Sequence, residues 1–163
     1  MVNSRRVTAA LALDQPAAGR FADREHRFPV RVYFEDTDLS GVVYHANYLR
    51  FMERARSDML ALAGIDQRAA HDAGEGAYAV TELEITYRAP ARLGDALVVA
   101  SRLIAVRAAS CRIHQRVIRE ASLVTEATVT AAFVAPDGRP KRQPAAWVKA
   151  FEPLLWTGEL DAR

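Results

Sequence analysis

The chain has 163 residues, half of them hydrophobic, a mean hydropathy of −0.09 and a formal net charge of +2. That length suits one domain with a core able to stand without disulfide or metal staples. A single cysteine, Cys111, excludes an intrachain disulfide framework and a cysteine-based zinc site. Four scattered His without an HxxxH pair speak against a catalytic metal. No apolar run approaches the roughly 18 residues of a membrane span. The net charge sits in residues 1–27, where five Arg face three acidic residues. The remainder is neutral and offers no nucleic-acid footprint. The expectation is a single-domain protein of a reducing, cytoplasmic compartment.

The N-terminal "MVNSRRVTAALAL" mimics the basic and apolar regions of a signal peptide. Its apolar stretch is short and runs into Asp14-Gln15-Pro16, so residues 1–27 are expected to form a partly disordered extension. From Phe28, "FPVRVYFE" alternates and reads as a strand. The polar loop "DTDLSGV" follows. Tyr48, Met52, Ala55, Met59 and Leu62 then recur at steps of three and four, which predicts a helix from about Ala46 to Ala63. Asn47 is the expected N-cap, and Gly64 stands where a glycine ends a helix. Residues 65–76 read as a loop with room for one short helical turn.

Four strand-like stretches come next: Tyr78–Arg88, Ala96–Arg107, Ser110–Glu120 and Leu123–Ala135. Turn signals such as Ala89-Pro90 and Leu93-Gly94-Asp95 separate them. They are expected to form a four-strand antiparallel meander. "PAAWVKAF" reads as a short terminal helix before a C-terminal tail, 157–163. The fold class is α+β: a domain over 28–156 with a long helix packed on an antiparallel sheet of about five strands.

Chemistry concentrates where a carboxylate-rich loop meets the start of the helix: Glu35, Asp36, Asp38, Gly41, then His45-Ala46-Asn47. Free N–H groups and the positive dipole end of a helix polarise a carbonyl and stabilise an oxyanion developing on it. A carboxylate beside that carbonyl can act as nucleophile or general base, which makes the segment a candidate acyl-transfer site. Caps and solvated carboxylates use the same residues, and spacing alone does not choose between the readings.

The segment "FPVRVYFEDTDLSGVVYHANYLRFMERARSDML" closely resembles the hotdog-fold acyl-CoA thioesterases of the 4-hydroxybenzoyl-CoA thioesterase type. Within that group it is most similar to the Tol-Pal-system-associated enzymes of Gram-negative bacteria. The likeness continues through "ITYRAPARLGD" to "APDGRPKRQP" and covers roughly residues 28–153. It implies a long helix wrapped by an antiparallel sheet, in homodimers that often pair into homotetramers. A single helix-on-sheet layer also leaves a sheet edge and the acyl tunnel open, so at least a dimer is expected, with each active site lined by both subunits. The resemblance also implies hydrolysis of a thioester to a free acid and CoA, without metal or redox cofactor. The expected substrate is acyl-CoA, and the sequence leaves open whether an acyl-carrier protein serves as donor instead.

The second Asp of the D-x-D pair is the catalytic position of the resemblance, here Asp38, while Asp36 matches a position without that role. The backbone N–H of His45 matches the carbonyl-polarising position, and the His45 side chain is a candidate for orienting water or substrate. Gly41, Tyr44 and Asn47 are further motif positions at the site. Arg107 and Ser110, at a strand-to-strand turn, are candidates for holding the nucleotide or pantetheine of CoA. Glu53, Arg54 and Arg56 read as ion-paired helix residues, although another thioesterase branch carries its catalytic Glu on the helix, which keeps Glu53 as an alternative; Cys111 reads as a small buried apolar residue. A non-catalytic hotdog adaptor that binds acyl-CoA or acyl-carrier protein is the alternative.

Overall fold

The computed structural model describes residues 16–160. Six strands form one antiparallel sheet: β1 (Arg20–Ala22), β2 (Glu25–Arg31), β3 (Ala77–Tyr87), β4 (Ala96–Val106), β5 (Ser110–Arg119) and β6 (Ser122–Val134). The long helix α1 spans Asn47–Leu62, followed by the short α2 (Gln67–Asp72) and, near the C-terminus, α3 (Ala145–Phe151). Spatial order is β1-β2-β4-β5-β6-β3.

Three expectations about the strands need correction. The sheet has six strands because the hairpin pairs Arg20 with Arg27 and Phe21 with His26. Residues 20–27, assigned to the extension, therefore belong to the sheet. Gly19 shows why that segment is seated so closely: a Cβ there would lie 2.5 Å from His26 Nε2, and its N–H donates to Asp58 Oδ2 at 3.0 Å. The second correction is to the meander, which covers β4, β5 and β6 only. β3 pairs with β6 at the far edge. Its exit is too long for a tight hairpin and is used elsewhere, since Val32 N–H donates to Asp95 O and Val43 N–H to Ala91 O. The third concerns the first strand, which runs Glu25–Arg31 and gives way to a 3-10 turn, Phe34–Asp36, within the stretch expected to be extended.

The helix lies close to its expected limits. Tyr48, Phe51, Met52, Ala55, Met59 and Leu60 are buried against the sheet, whereas Leu62 is exposed. Gly64 ends the helix with a φ of 77°, a conformation that favours glycine. Asn47 is not the cap. Ala46 occupies that position without a side-chain bond, and Asn47 is the first helical residue.

Two apolar clusters lie between helix and sheet. One joins Tyr48, Phe51 and Met52 to Val32, Leu97, Val99 and Val124; the other joins Met59 and Leu60 to Leu103, Ile113, Val129 and Phe151. Alternation explains the sheet's share: odd residues of β5, and of β4 as far as the bulge after Leu103, face the helix, as a period of two requires. A polar layer crosses this core. Arg56 Nη1 donates to Gln115 Oε1 at 2.7 Å, and Gln115 Nε2 donates to Met52 O and Ser101 Oγ at 3.0 and 2.9 Å. Arg56 also pairs with the exposed Glu53. Cys111 is buried, and burial pushes its thiol up to about 11, which keeps it protonated at neutral pH.

Candidate active site

The loop between β2 and α1 is built on Asp36. This side chain is buried and its Oδ2 accepts the Tyr33 N–H at 2.8 Å, closing the 3-10 turn. Its backbone carbonyl accepts both Tyr44 N–H and Asn47 Nδ2–H at 2.8 Å. Asp36 thus joins the loop to the start of the helix, and Asn47 holds it from the helix side.

Asp38 is held differently. Asp38 N–H donates to Val42 O at 3.1 Å and Gly41 N–H to Asp38 O at 2.9 Å. The tight turn between them puts Gly41 at a φ of 76°, which a glycine adopts without strain. The Asp38 carboxylate is exposed. Its Oδ1 accepts the Ser40 hydroxyl and, at 2.8 Å, the Ser40 N–H. Those bonds, the hydroxyl's first, and the nearby His45 hold the Asp38 carboxyl below its ordinary pKa. At neutral pH it is an anion with oxygen lone pairs to spare.

The helix entrance completes the arrangement. Asn47 N–H donates to Tyr44 O at 2.8 Å. Among the described residues, the N–H groups of His45 and Ala46 find no backbone acceptor, as expected for the orphan donors at a helix start. The Tyr44 and His45 rings pack with centroids 4.5 Å apart. Beneath them, Val42 bridges to Arg92, Val43 N–H donates to Ala91 O at 2.8 Å, and Ala91 N–H donates to Tyr48 Oη at 3.2 Å. Segment 87–92 is the platform for the loop. Sequence reasoning did not find this role, because it depends on β3 pairing with β6 and leaving its exit free to cross under the helix.

Asp38, Gly41, Tyr44, His45 and Asn47 are therefore brought together. Arg107 and Ser110 are not brought to them within one chain. They flank the β4–β5 turn, at the far end of β4 from the loop, roughly 35 Å away along the strand at about 3.3 Å per residue. There they line a cavity of about 290 Å³ with Glu82, Arg112 and Thr130. Buried Gln143 fixes this turn by donating from Nε2 to Arg107 O at 2.6 Å and Ser110 O at 3.2 Å. No cluster of three or more metal-ligating side chains occurs among the described residues, and no described helix is long and apolar enough to cross a membrane.

Comparison with known proteins follows this architecture. The acyl-CoA thioesterase YbgC of Haemophilus influenzae is 41% identical over 112 residues, 69% of this chain and 82% of that protein. The acyl-CoA thioester hydrolase YbgC of an Escherichia coli O6:H1 strain is 41% identical over 128 residues, 77% of this chain and 95% of that protein. The crystal structure of a probable thioesterase from Bartonella henselae superposes with a TM-score of 0.70 at 35% identity, covering 74% of this chain and 99% of that one. The model of the thioesterase-like superfamily matches residues 32–152, which spans the loop, the long helix and the sheet from β3 onward, and the chain belongs to that superfamily.

Proposed function

We propose that the protein is an acyl-CoA thioesterase that hydrolyses a thioester to a free acid and CoA. One observation carries the reading: an ionised, exposed Asp38 lies on the same short loop as the two orphan N–H groups at the helix start. A thioester carbonyl seated on the His45 N–H would be polarised, and the oxyanion formed on attack would be stabilised by these donors and the helix dipole. Asp38 serves either as general base, taking a proton from water, or as nucleophile, forming an anhydride that water then opens. His45 and Tyr44 form one aromatic wall for the bound group. The YbgC relatives, named for acyl-CoA substrates, support this choice of thioester.

The reading extends to a homodimer. β3 pairs on one side only, leaving an edge eleven residues long with Val80 exposed. Sheets do not leave such edges open without cause, and twofold closure is the commonest remedy. The Tyr87 end of β3 lies by His45, and its Ala77 end lies by the β4–β5 turn. Antiparallel pairing of two such edges would set Asp38 of one subunit near Arg107 and Ser110 of the other, where they can meet CoA phosphates. A tetramer of such dimers, a cytoplasmic location, association with the Tol-Pal system and an acyl-carrier-protein donor complete the proposal.

The test is release of free thiol from acetyl-, butyryl-, octanoyl-, palmitoyl- and benzoyl-CoA. The expected result is turnover of at least one member of this panel by a dimer or tetramer in light scattering. Binding without turnover across the panel would favour an adaptor, and an active monomer would end the two-subunit site.

A further inference from the structure

We infer that Tyr87, at the end of β3, is a positioning residue that fixes the carbonyl-polarising peptides at the helix start; this rests on the thioesterase reading above. Its hydroxyl donates to His45 O at 3.1 Å. Its ring stands edge-on to the His45 ring, with centroids 6.2 Å apart, and packs on Tyr48 at 5.8 Å.

The two carbonyls flanking His45 are thus both anchored: Tyr44 O by Asn47 N–H and His45 O by Tyr87 Oη. In a trans peptide the N–H points opposite to the carbonyl of the same unit. Holding the two carbonyls therefore aims the N–H groups of His45 and Ala46, the pair with no acceptor of their own. A hydrogen bond accepted by a peptide carbonyl also polarises the N–H of the same unit, which strengthens it as a donor. For Ala46 that strengthening comes from Tyr87, and for His45 from Asn47.

Tyr87 is suited to this because its own backbone is fixed. It pairs with Thr125 in the β3–β6 ladder, and the next two N–H groups, of Arg88 and Ala89, both donate to Val124 O, at 2.8 and 3.0 Å. Thr125 Oγ1 donates to Thr86 O at 2.7 Å. The hydroxyl is therefore carried by a strand end whose own backbone is hydrogen-bonded on both sides of it. Tyr87 is 44% exposed, and its phenol, raised somewhat further by partial desolvation, stays protonated and able to donate through the neutral range.

Tyr87→Phe keeps the ring and removes only the hydroxyl. In the full chain, assayed on the same acyl-CoA panel, kcat is expected to fall about 5- to 10-fold, with KM within about twofold of wild type. Tm should stay near the wild-type value, and the Ala46 amide proton should move upfield in the ¹⁵N-correlated NMR spectrum of the free enzyme, as its polarisation is lost. An unchanged kcat and an unmoved Ala46 resonance would overturn the inference. So would a rise in KM at constant kcat, which would make Tyr87 a substrate-binding group. A fall in Tm with parallel losses in every parameter would make it structural only, and would also overturn it. Asp38→Asn, measured alongside, reports on the thioesterase mechanism itself. A dead Asp38→Asn with a fully active Tyr87→Phe would sink this inference and leave that mechanism standing.

Discussion

Two carboxylates two residues apart make opposite demands on the protein, and substituting each in turn separates them. Asp36 is 7% exposed and accepts the Tyr33 N–H through its side chain. Asp36→Ala leaves that buried donor without its partner, which costs about 1–3 kcal/mol. For a chain of this size each kcal/mol lowers Tm by about 2–4 °C, so a fall of several degrees is expected. Turnover should largely survive in the folded protein, because the bonds from Asp36 to Tyr44 and Asn47 are made by its backbone carbonyl. Asp38 is the reverse case. Its carboxylate is exposed and its partners all lie on Ser40, within the same turn. Asp38→Asn should therefore leave Tm nearly unchanged while kcat falls about 10²- to 10⁴-fold, the usual scale for loss of a general base, and further for a nucleophile. KM should move much less. The assays are thermal unfolding and thiol release on a common acyl-CoA substrate. An exchange of phenotypes would show that the wrong carboxylate has been chosen, and full activity in both variants would refute the mechanism. A single turnover in ¹⁸O-water then divides the two roles of Asp38, since a base sends the label into the released acid and a nucleophile retains it.

Because the Asp38 carboxyl is held below its ordinary pKa, the acid limb of kcat/KM should lie below about pH 3.9; the limb should move toward the ordinary value in Ser40→Ala. His26, fully buried, has its pKa lowered by burial against the raising effect of Asp58, so the unfolded chain binds the extra proton more readily. Stability should then fall as pH drops below about 6.5, and His26→Gln should flatten that slope in thermal melts from pH 5 to 7. Deleting residues 1–24 removes β1 and the Gly19–Asp58 bond and should lower Tm measurably; an unchanged melt would show that the hairpin contributes nothing.

The loop and the helix were the most legible parts of the chain. Their signals are local: Gly41 in a tight turn, Gly64 past the helix end, and Tyr48, Met52, Ala55 and Met59 on one face. The order of the strands was not legible, because alternation in β3 says which face is buried and nothing about which neighbour it meets. The same gap hid Tyr87, whose role depends on the end of β3 reaching a loop 42 residues distant. Type and position alone make Asn47 the expected cap. The backbone instead put Ala46 there and turned the Asn47 amide toward Asp36. Residues 20–27 look like a tail in the sequence because the β1 hairpin is too short to show a period.

The polar layer of Arg56, Gln115 and Ser101 sets a length standard for the site. Apolar surfaces tolerate sliding, and a helix shifted by one turn, about 5.4 Å, would still find Leu and Val to pack against. Gln115 does not allow it, because its amide meets Met52 O on the helix, Ser101 on the sheet and Arg56 at one height only. Arg56 lies nine residues after Asn47, about 13 Å along the axis. The height of the helix start above the platform at Tyr87–Arg92 is thus gauged from the middle of the core. Polar contacts buried that far from Asp38 act as a ruler for the donors that face it.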